Sequence, residues 1–427
     1  PHPTPVLQIR SAHVRPGTRE AEVVLTRLGG PPEMTAEVWA GAAERVEVTL
    51  GDTPAEVSLD VSSLQAGLHP VVARTELEGV GVLRAESEIG IASPTASIDW
   101  IRQYDGGIFA SPVVDGPRAY VATRSGQLEC IDPVSGTRFW GYHLLGGTQS
   151  TPALSGNQLV ACSALGRVVC LDVRTGTPAW TITLPSPVRS SPTIHNAKIY
   201  VGSGEGALRC IDLRTGEILW EHRVGRLIES RPAVGMGRVV FGAWDQKVHC
   251  LNAATGEEVW TSDVGSNVYY SPGSASCLIH DGRAYASAAN NTIYCYDLVT
   301  GDTLWEAEGM SGYTSPSVGP DGTIIYGSMD GHLIGLDPTT GDDRFRVDVG
   351  PGTFNSSTDV AGDMLAVGAL HAAVTVASAY TGEPMETIDL GETLMFATPA
   401  FDGRRVIAGT MDGRLVSIIV NAERSGE

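Results

Sequence analysis

Few side chains in this chain stand in a pattern that chemistry could use. Gln149, Arg189, Glu229 and Tyr269 fall 40 residues apart. A guanidinium has a planar fork that grips a carboxylate or a phosphate in two places, and the amide, acid and phenol beside it can hydrogen-bond or stack a small polar molecule. Cys130, Cys170, Cys210, Cys250 and Cys295 keep a similar rhythm, with one step of 45. Such thiols could pair or hold a metal. Equivalent points on face-packed sheets stand roughly 10 Å apart, and a disulfide needs Cα atoms within about 7 Å. These cysteines are therefore expected to be free, small and buried. No Cys-x-x-Cys, His-x-His or His-Glu-x-x-His occurs, so no metal site is expected. Gly-x-Ser-x-Gly is missing too. Gly202-Ser-Gly-Glu-Gly206 resembles a phosphate loop, but no helical period follows it, so it reads as a hairpin.

The elements that position these residues come from a repeat. Asp132-Pro-Val-Ser-Gly136 with Trp140 recurs at Gly176 with Trp180, Gly216 with Trp220, Gly256 with Trp260, Gly301 with Trp305, and Gly341 with Phe345. A worn copy ends at Gly382. A second marker runs Ser111-Pro112, Thr151-Pro152, Ser191-Pro192, Arg231-Pro232, Ser271-Pro272, Ser315-Pro316, Ser357-Thr358 and Thr398-Pro399. Between the markers lie short β-patterned runs and no helical period. A period near 40 with four strands per unit predicts a β-propeller. Each unit reads as strands A to D, with Asp-x-x-Thr-Gly as the C–D turn and the Trp on strand D. The last unit has only A, B and C, while Ser97–Ile101, with Trp100, supplies a D strand upstream. The expectation is eight blades over residues 97–427, closed by pairing Ser97–Ile101 with the final blade.

Residues 1–96 lack the repeat. Val6–Arg10, Ala21–Leu25, Ala36–Trp39, Val46–Leu50, Glu56–Leu59, Pro70–Arg74 and Val82–Ala85 alternate like strands. Seven strands in that length fit a small immunoglobulin- or fibronectin-like β-sandwich. The fold class is all-β.

Composition limits the partners. Asp+Glu number 49 against 29 Lys+Arg, a net charge of −20, which argues against nucleic acid and anionic membrane surfaces. No apolar run reaches the roughly 18 residues a membrane span needs. The chain opens Pro1-His2-Pro3, without Met or a signal-peptide pattern, as a processed or truncated product would. Free thiols in number fit a reducing compartment, so a cytoplasmic location is expected, or a secreted or periplasmic one if an upstream signal was removed.

The Asp-x-x-Thr-Gly-x-x-x-Trp repeat resembles that of the pyrroloquinoline-quinone-like propellers, over about residues 97–420. Relatives of that kind include quinoprotein alcohol dehydrogenases and the propeller lipoprotein of the outer-membrane β-barrel assembly machinery. The resemblance implies that a ligand sits near the axis, on the face of the D–A connections and B–C hairpins. Residues two before each marker then line the mouth: Phe109, Gln149, Arg189, Glu229, Tyr269, Tyr313, Asn355 and Phe396. Arg231 replaces a marker hydroxyl, and Trp244 and Asp245 sit on a B–C hairpin of the same face. His371 shares that face and reads as ordinary surface. The plain alternative is a solvated funnel with a self-satisfied Arg189–Glu229 pair.

A quinoprotein dehydrogenase would carry adjacent cysteines and a calcium-binding acid and amide set, and no Cys-Cys pair exists here. No cofactor is expected. The reading is a non-catalytic propeller that binds a small polar or anionic molecule, or a protein partner, at its mouth. The alternative is part of an enzyme. Sandwich-plus-propeller chains resemble the C-terminal part of larger bacterial proteins that begin with a calcineurin-like metallophosphoesterase domain, whose Asp-x-His and Gly-Asn-His motifs are absent. An enzyme acting at the propeller mouth is the other form of that alternative.

Overall fold

Each Asp-x-x-Thr-Gly copy closes a turn with the same contacts. In one of them Asp212 Oδ1 accepts from the N–H groups of Arg214 at 3.0 Å and Thr215 at 2.8 Å. The Gly216 N–H returns to the Asp212 carbonyl at 2.9 Å. Asn252 and Ser378 fill the Asp role in their turns with Oδ1 and Oγ. Gly216 has φ +76°, a conformation that favours glycine, and a Cβ there would lie 2.8 Å from Trp180. So the turn glycine serves twice: it bends the chain and gives the preceding repeat's tryptophan a flat seat. Trp180 Nε1 then donates to the Leu213 carbonyl at 2.9 Å. The same seat recurs for Trp140 on Gly176, Trp220 on Gly256, Trp260 on Gly301 and Trp305 on Gly341. Phe345 sits on Gly382 without an N–H to donate.

The computed structural model describes residues 5–14, 19–28, 33–51, 53–64, 66–77, 80–91, 96–265, 275–288, 291–309, 314–349 and 354–420. Two compact units emerge, one built from Pro1–Ile98 with Ile388–Glu392 and one from Asp99–Thr387 and Thr393–Val420. Among the described residues no helix is long and apolar enough to cross a membrane.

The first unit has strands β1 (Val6–Val14), β2 (Glu20–Leu28), β3 (Met34–Ala40), β4 (Val46–Leu50), β5 (Ala55–Asp60), β6 (Gly67–Leu77) and β7 (Gly81–Ile91). Each expected run lies inside one of them. They form two sheets, ordered β1-β2-β5 and β4-β3-β6-β7. Both sheets contribute to one core, with Val23 and Leu59 from the first and Val38, Val71 and Ala73 from the second all fully buried.

The second unit holds six separate four-stranded sheets between Val113 and Asp348. A further four-strand run spans Phe354–Asp389. The last sheet pairs Ala400–Phe401, Arg405–Gly409 and Arg414–Val420 with β8 (Ala96–Gln103). In each sheet strands B and C are buried and strand D is half exposed, as in Lys198–Gly202, Ala207–Asp212 and Ile218–Arg223. Apolar cores form between sheets. Tyr104, Ile108, Val121, Ala400, Ile407 and Leu415 join the last sheet to the first.

Candidate functional site

A cavity of about 1120 Å³ lies in the second unit, and every one of its repeats contributes to the wall. The marker positions build its waist. Ser111 N–H donates to Thr151 Oγ1 at 3.0 Å, and Thr151 N–H to Ser191 Oγ at 2.9 Å. Across the ring, Ser276 N–H donates to Ser315 Oγ, Ser315 N–H to Ser357 Oγ, and Ser357 N–H to Thr398 Oγ1. Thr398 N–H then closes the circle on Ser111 Oγ at 2.9 Å. The Ser-Pro marker is therefore a collar in which every backbone N–H but that of Ser191 is satisfied by the next repeat's hydroxyl.

The collar corrects one register. The sequence pointed to Ser271-Pro272 as the fifth marker. Those residues lie outside the described ones, and Ser276 occupies the collar position, with its Oγ accepting from Arg231 N–H at 3.3 Å. The step of 45 reflects five extra residues before Ser276, so Tyr269 is not the residue two before the collar. Tyr269 and Tyr313 lie outside the described residues. Asn355 lies on the strand Phe354–Ala361, with its side chain outside the description.

Arg231 breaks the collar. It has no hydroxyl for the Ser191 N–H, and its Nε donates instead to Thr193 Oγ1 at 3.2 Å. Its side chain is exposed on the cavity wall, and desolvation by the protein around it lowers its pKa below the usual arginine value.

Above the collar, Phe109, Gln149, Arg189, Glu229 and Phe396 line the cavity, and Trp244 joins them from its hairpin. Phe109 and Phe396 stack with centroids 5.1 Å apart. Glu229 is the hub of the polar half. Its Oε1 lies 3.1 Å from Arg189 Nη1, and its Oε2 accepts from Trp244 Nε1 at 3.1 Å. Sequence reasoning named Arg189–Glu229 as a self-satisfied pair but missed the indole. Asp245 is a correction: it does not line the cavity. Its Oδ2 lies 2.9 Å from His249 Nε2, and its Oδ1 accepts from Lys247 N–H, which fixes the hairpin that carries Trp244. His371 is exposed and contributes nothing to the cavity wall.

All seven cysteines are free and buried. Burial pushes Cys162 and Cys277 up to about 12 and Cys130 up to about 11.

Residues 85–164 and 146–347 match the family model described as outer membrane protein assembly factor BamB. The chain belongs to this PQQ-like propeller family. Among solved structures, BamB from Moraxella catarrhalis shares 19% identity at a TM-score of 0.65, over 76% of this chain and 99% of its own. The computationally designed Ika8 protein shares 18% at 0.67, over 75% and 98%. Quinohemoprotein alcohol dehydrogenase from Comamonas testosteroni shares 14% at 0.65, over 78% of each chain. Such identities speak for the propeller fold alone. No curated protein matches the chain at a significant level.

The dehydrogenase neighbour raises the question of whether this PQQ-like propeller fits a quinone with its metal. Among the described residues no three His, Cys, Asp or Glu side chains converge on a metal position. Glu229 has both oxygens engaged by Arg189 and Trp244. The residues of this mouth do not fit that set.

Proposed function

We propose that this chain is a non-catalytic binding propeller whose mouth receives a protein partner. The observation that carries the reading is Glu229 holding Arg189 and Trp244 at once, beside the stacked Phe109–Phe396 pair. Arg and aromatic side chains held ready in a concave site are the usual anchors of a protein interface. Holding them in place before binding lowers the ordering cost of association. The family description, an outer-membrane assembly factor, supports a scaffold over an enzyme. A small polar or anionic ligand is the second reading, and the cavity of about 1120 Å³, just above the range of common ligand sites, has room for one.

We read the architecture as eight blades over residues 97–427 behind an immunoglobulin- or fibronectin-like domain at 1–96. The support is the eight collar positions and, for the first domain, the split of seven strands into β1-β2-β5 and β4-β3-β6-β7. The family description also favours the cell envelope over the cytoplasm. The free thiols lose their force as a redox argument once all seven are buried, because a buried thiol cannot meet a partner in any compartment.

Site-specific photo-crosslinking in cells tests the reading. A photoreactive residue at Gln149, in the mouth, is expected to give discrete protein adducts. One at Thr175, on a C–D turn, is expected to give none. Adducts from Thr175 alone, or from neither site, would reject the mouth as the contact surface. A small mass increment instead of a protein band would favour the second reading.

A further inference from the structure

Arg231 stands apart from Arg189, the other arginine lining the cavity among the described residues. Arg209, fully buried, is met by Glu205 at 2.6 Å and Glu221 at 2.7 Å, and Arg189 by Glu229 at 3.1 Å. Arg231 has no carboxylate within 4.0 Å among the described residues, and its guanidinium makes one protein hydrogen bond, from Nε. Four N–H donors on Nη1 and Nη2 are left over. Arg231 is exposed on the cavity wall, so these donors are open to a ligand that enters the cavity. The other acids on the cavity wall are committed elsewhere. Glu229 is engaged twice, Asp359 Oδ2 accepts from Phe401 N–H, and Asp402 Oδ1 accepts from Arg404 and Arg405 N–H.

The collar adds to this. Its seven hydroxyls each accept a backbone N–H, from Ser111 N–H onto Thr151 around to Thr398 N–H onto Ser111. Accepting a hydrogen bond strengthens a hydroxyl as a donor, and these O–H groups make no hydrogen bond to a protein acceptor among the described residues. The repeat could have kept a hydroxyl at 231 and satisfied Ser191 N–H, yet a guanidinium stands there.

We propose that Arg231 and the collar hydroxyls beside it form an oxyanion site at the waist of the cavity. It would take a carboxylate or phosphate group, whose oxygens match the planar guanidinium fork. The proposal rests on reading the cavity as a binding site and names the group that reaches past the mouth. Against a net charge of −20, it gives the cavity a local pull on one negatively charged group.

Calorimetric titration of the full chain with inorganic phosphate, and separately with acetate, at low ionic strength tests this. Wild type is expected to bind at least one of them saturably, one per chain, and the anion that binds identifies the source. Arg231→Ser, which restores the hydroxyl, is expected to weaken that binding about tenfold or more. Its melting temperature without anion should hold or rise, since Ser191 N–H regains an acceptor. Arg231→Gln gives a second uncharged variant with the stem kept, and it should lose binding likewise. Arg174→Ala, on an exposed C–D turn outside the cavity, is expected to keep the wild-type anion affinity, while Arg189→Ala reports separately on the mouth. The proposal fails if neither anion binds, or if both Arg231 variants bind like wild type. If binding follows Arg189 and not Arg231, the mouth remains a binding site and the waist does not.

Discussion

The indole N–H of Trp100 donates to the carbonyl of Pro133 at 3.1 Å, and the ring rests on Gly136. This is the contact made by every docking tryptophan of the repeat, yet Trp100 precedes the first repeat in sequence and lies in the last sheet. One interaction thus ties the two ends of the propeller together.

Trp100→Ala is therefore expected to destabilise as severely as Trp140→Ala, whose Nε1 reaches the Val173 carbonyl at 2.9 Å. Each should cost about 3–5 kcal/mol, the range for large aromatic truncations. Denaturant melts of the two variants check this. A nearly silent Trp100→Ala would mean that the closure depends on other contacts.

The turn acids give the chain an acid limit. Backbone N–H groups hold Asp212 and Asp297 below the ordinary aspartate value, and Asp132 and Asp172 likewise. A depressed folded pKa adds stability above the unfolded value of 3.8 and loses it as pH falls through the folded value. Melting temperature should fall below about pH 4. Asp212→Asn, copying the native Asn252 turn, should melt close to wild type at pH 7 and lose less on acidification.

Asp359 should behave in the opposite sense. Burial raises its pKa, despite the Phe401 N–H at 2.7 Å. Its charged form therefore weakens the fold increasingly as pH rises from 3.8 through the raised value. Asp359→Asn keeps an oxygen for Phe401 N–H, so it is expected to raise the melting temperature at pH 7 and to have no effect below about pH 3.5. Paired melts at the two pH values decide it.

Native protein is expected to react slowly with a thiol reagent at pH 8, and seven groups should react in denaturant. Burial pushes Cys210 up to about 11 and Cys250 and Cys295 up to about 12, so almost no thiolate is present. Fast labelling of the native chain would contradict the buried assignment.

The repeat was legible because a turn demands local chemistry. Asp, Gly and Trp each answer a requirement visible within one unit, so their spacing marks the strands of the array. The collar was only half legible. Its Pro is visible, but the hydroxyl's task, accepting an N–H from the neighbouring repeat 40 residues away, is a relation between units. That is why Ser271-Pro272 displaced Ser276 in the reading: the dipeptide matched and the spatial register did not. Trp244 and Asp245 show the same limit. Adjacent residues on a hairpin point apart, one to Glu229 in the mouth and one to His249 beneath it, and no pattern in a single sequence separates them.

The mouth and the core between sheets should be separable, and one comparison tests that most directly: melting temperature and the Gln149 photo-adduct, both measured on Arg189→Ala. The Arg189–Glu229 pair is largely open to solvent, with the arginine side chain 53% exposed, so its loss should cost at most about 1 kcal/mol of stability. The expected result is a melting temperature near wild type with the adduct strongly reduced. A variant that melts as low as Trp140→Ala, or one that keeps the full adduct, would contradict the mouth as a binding surface.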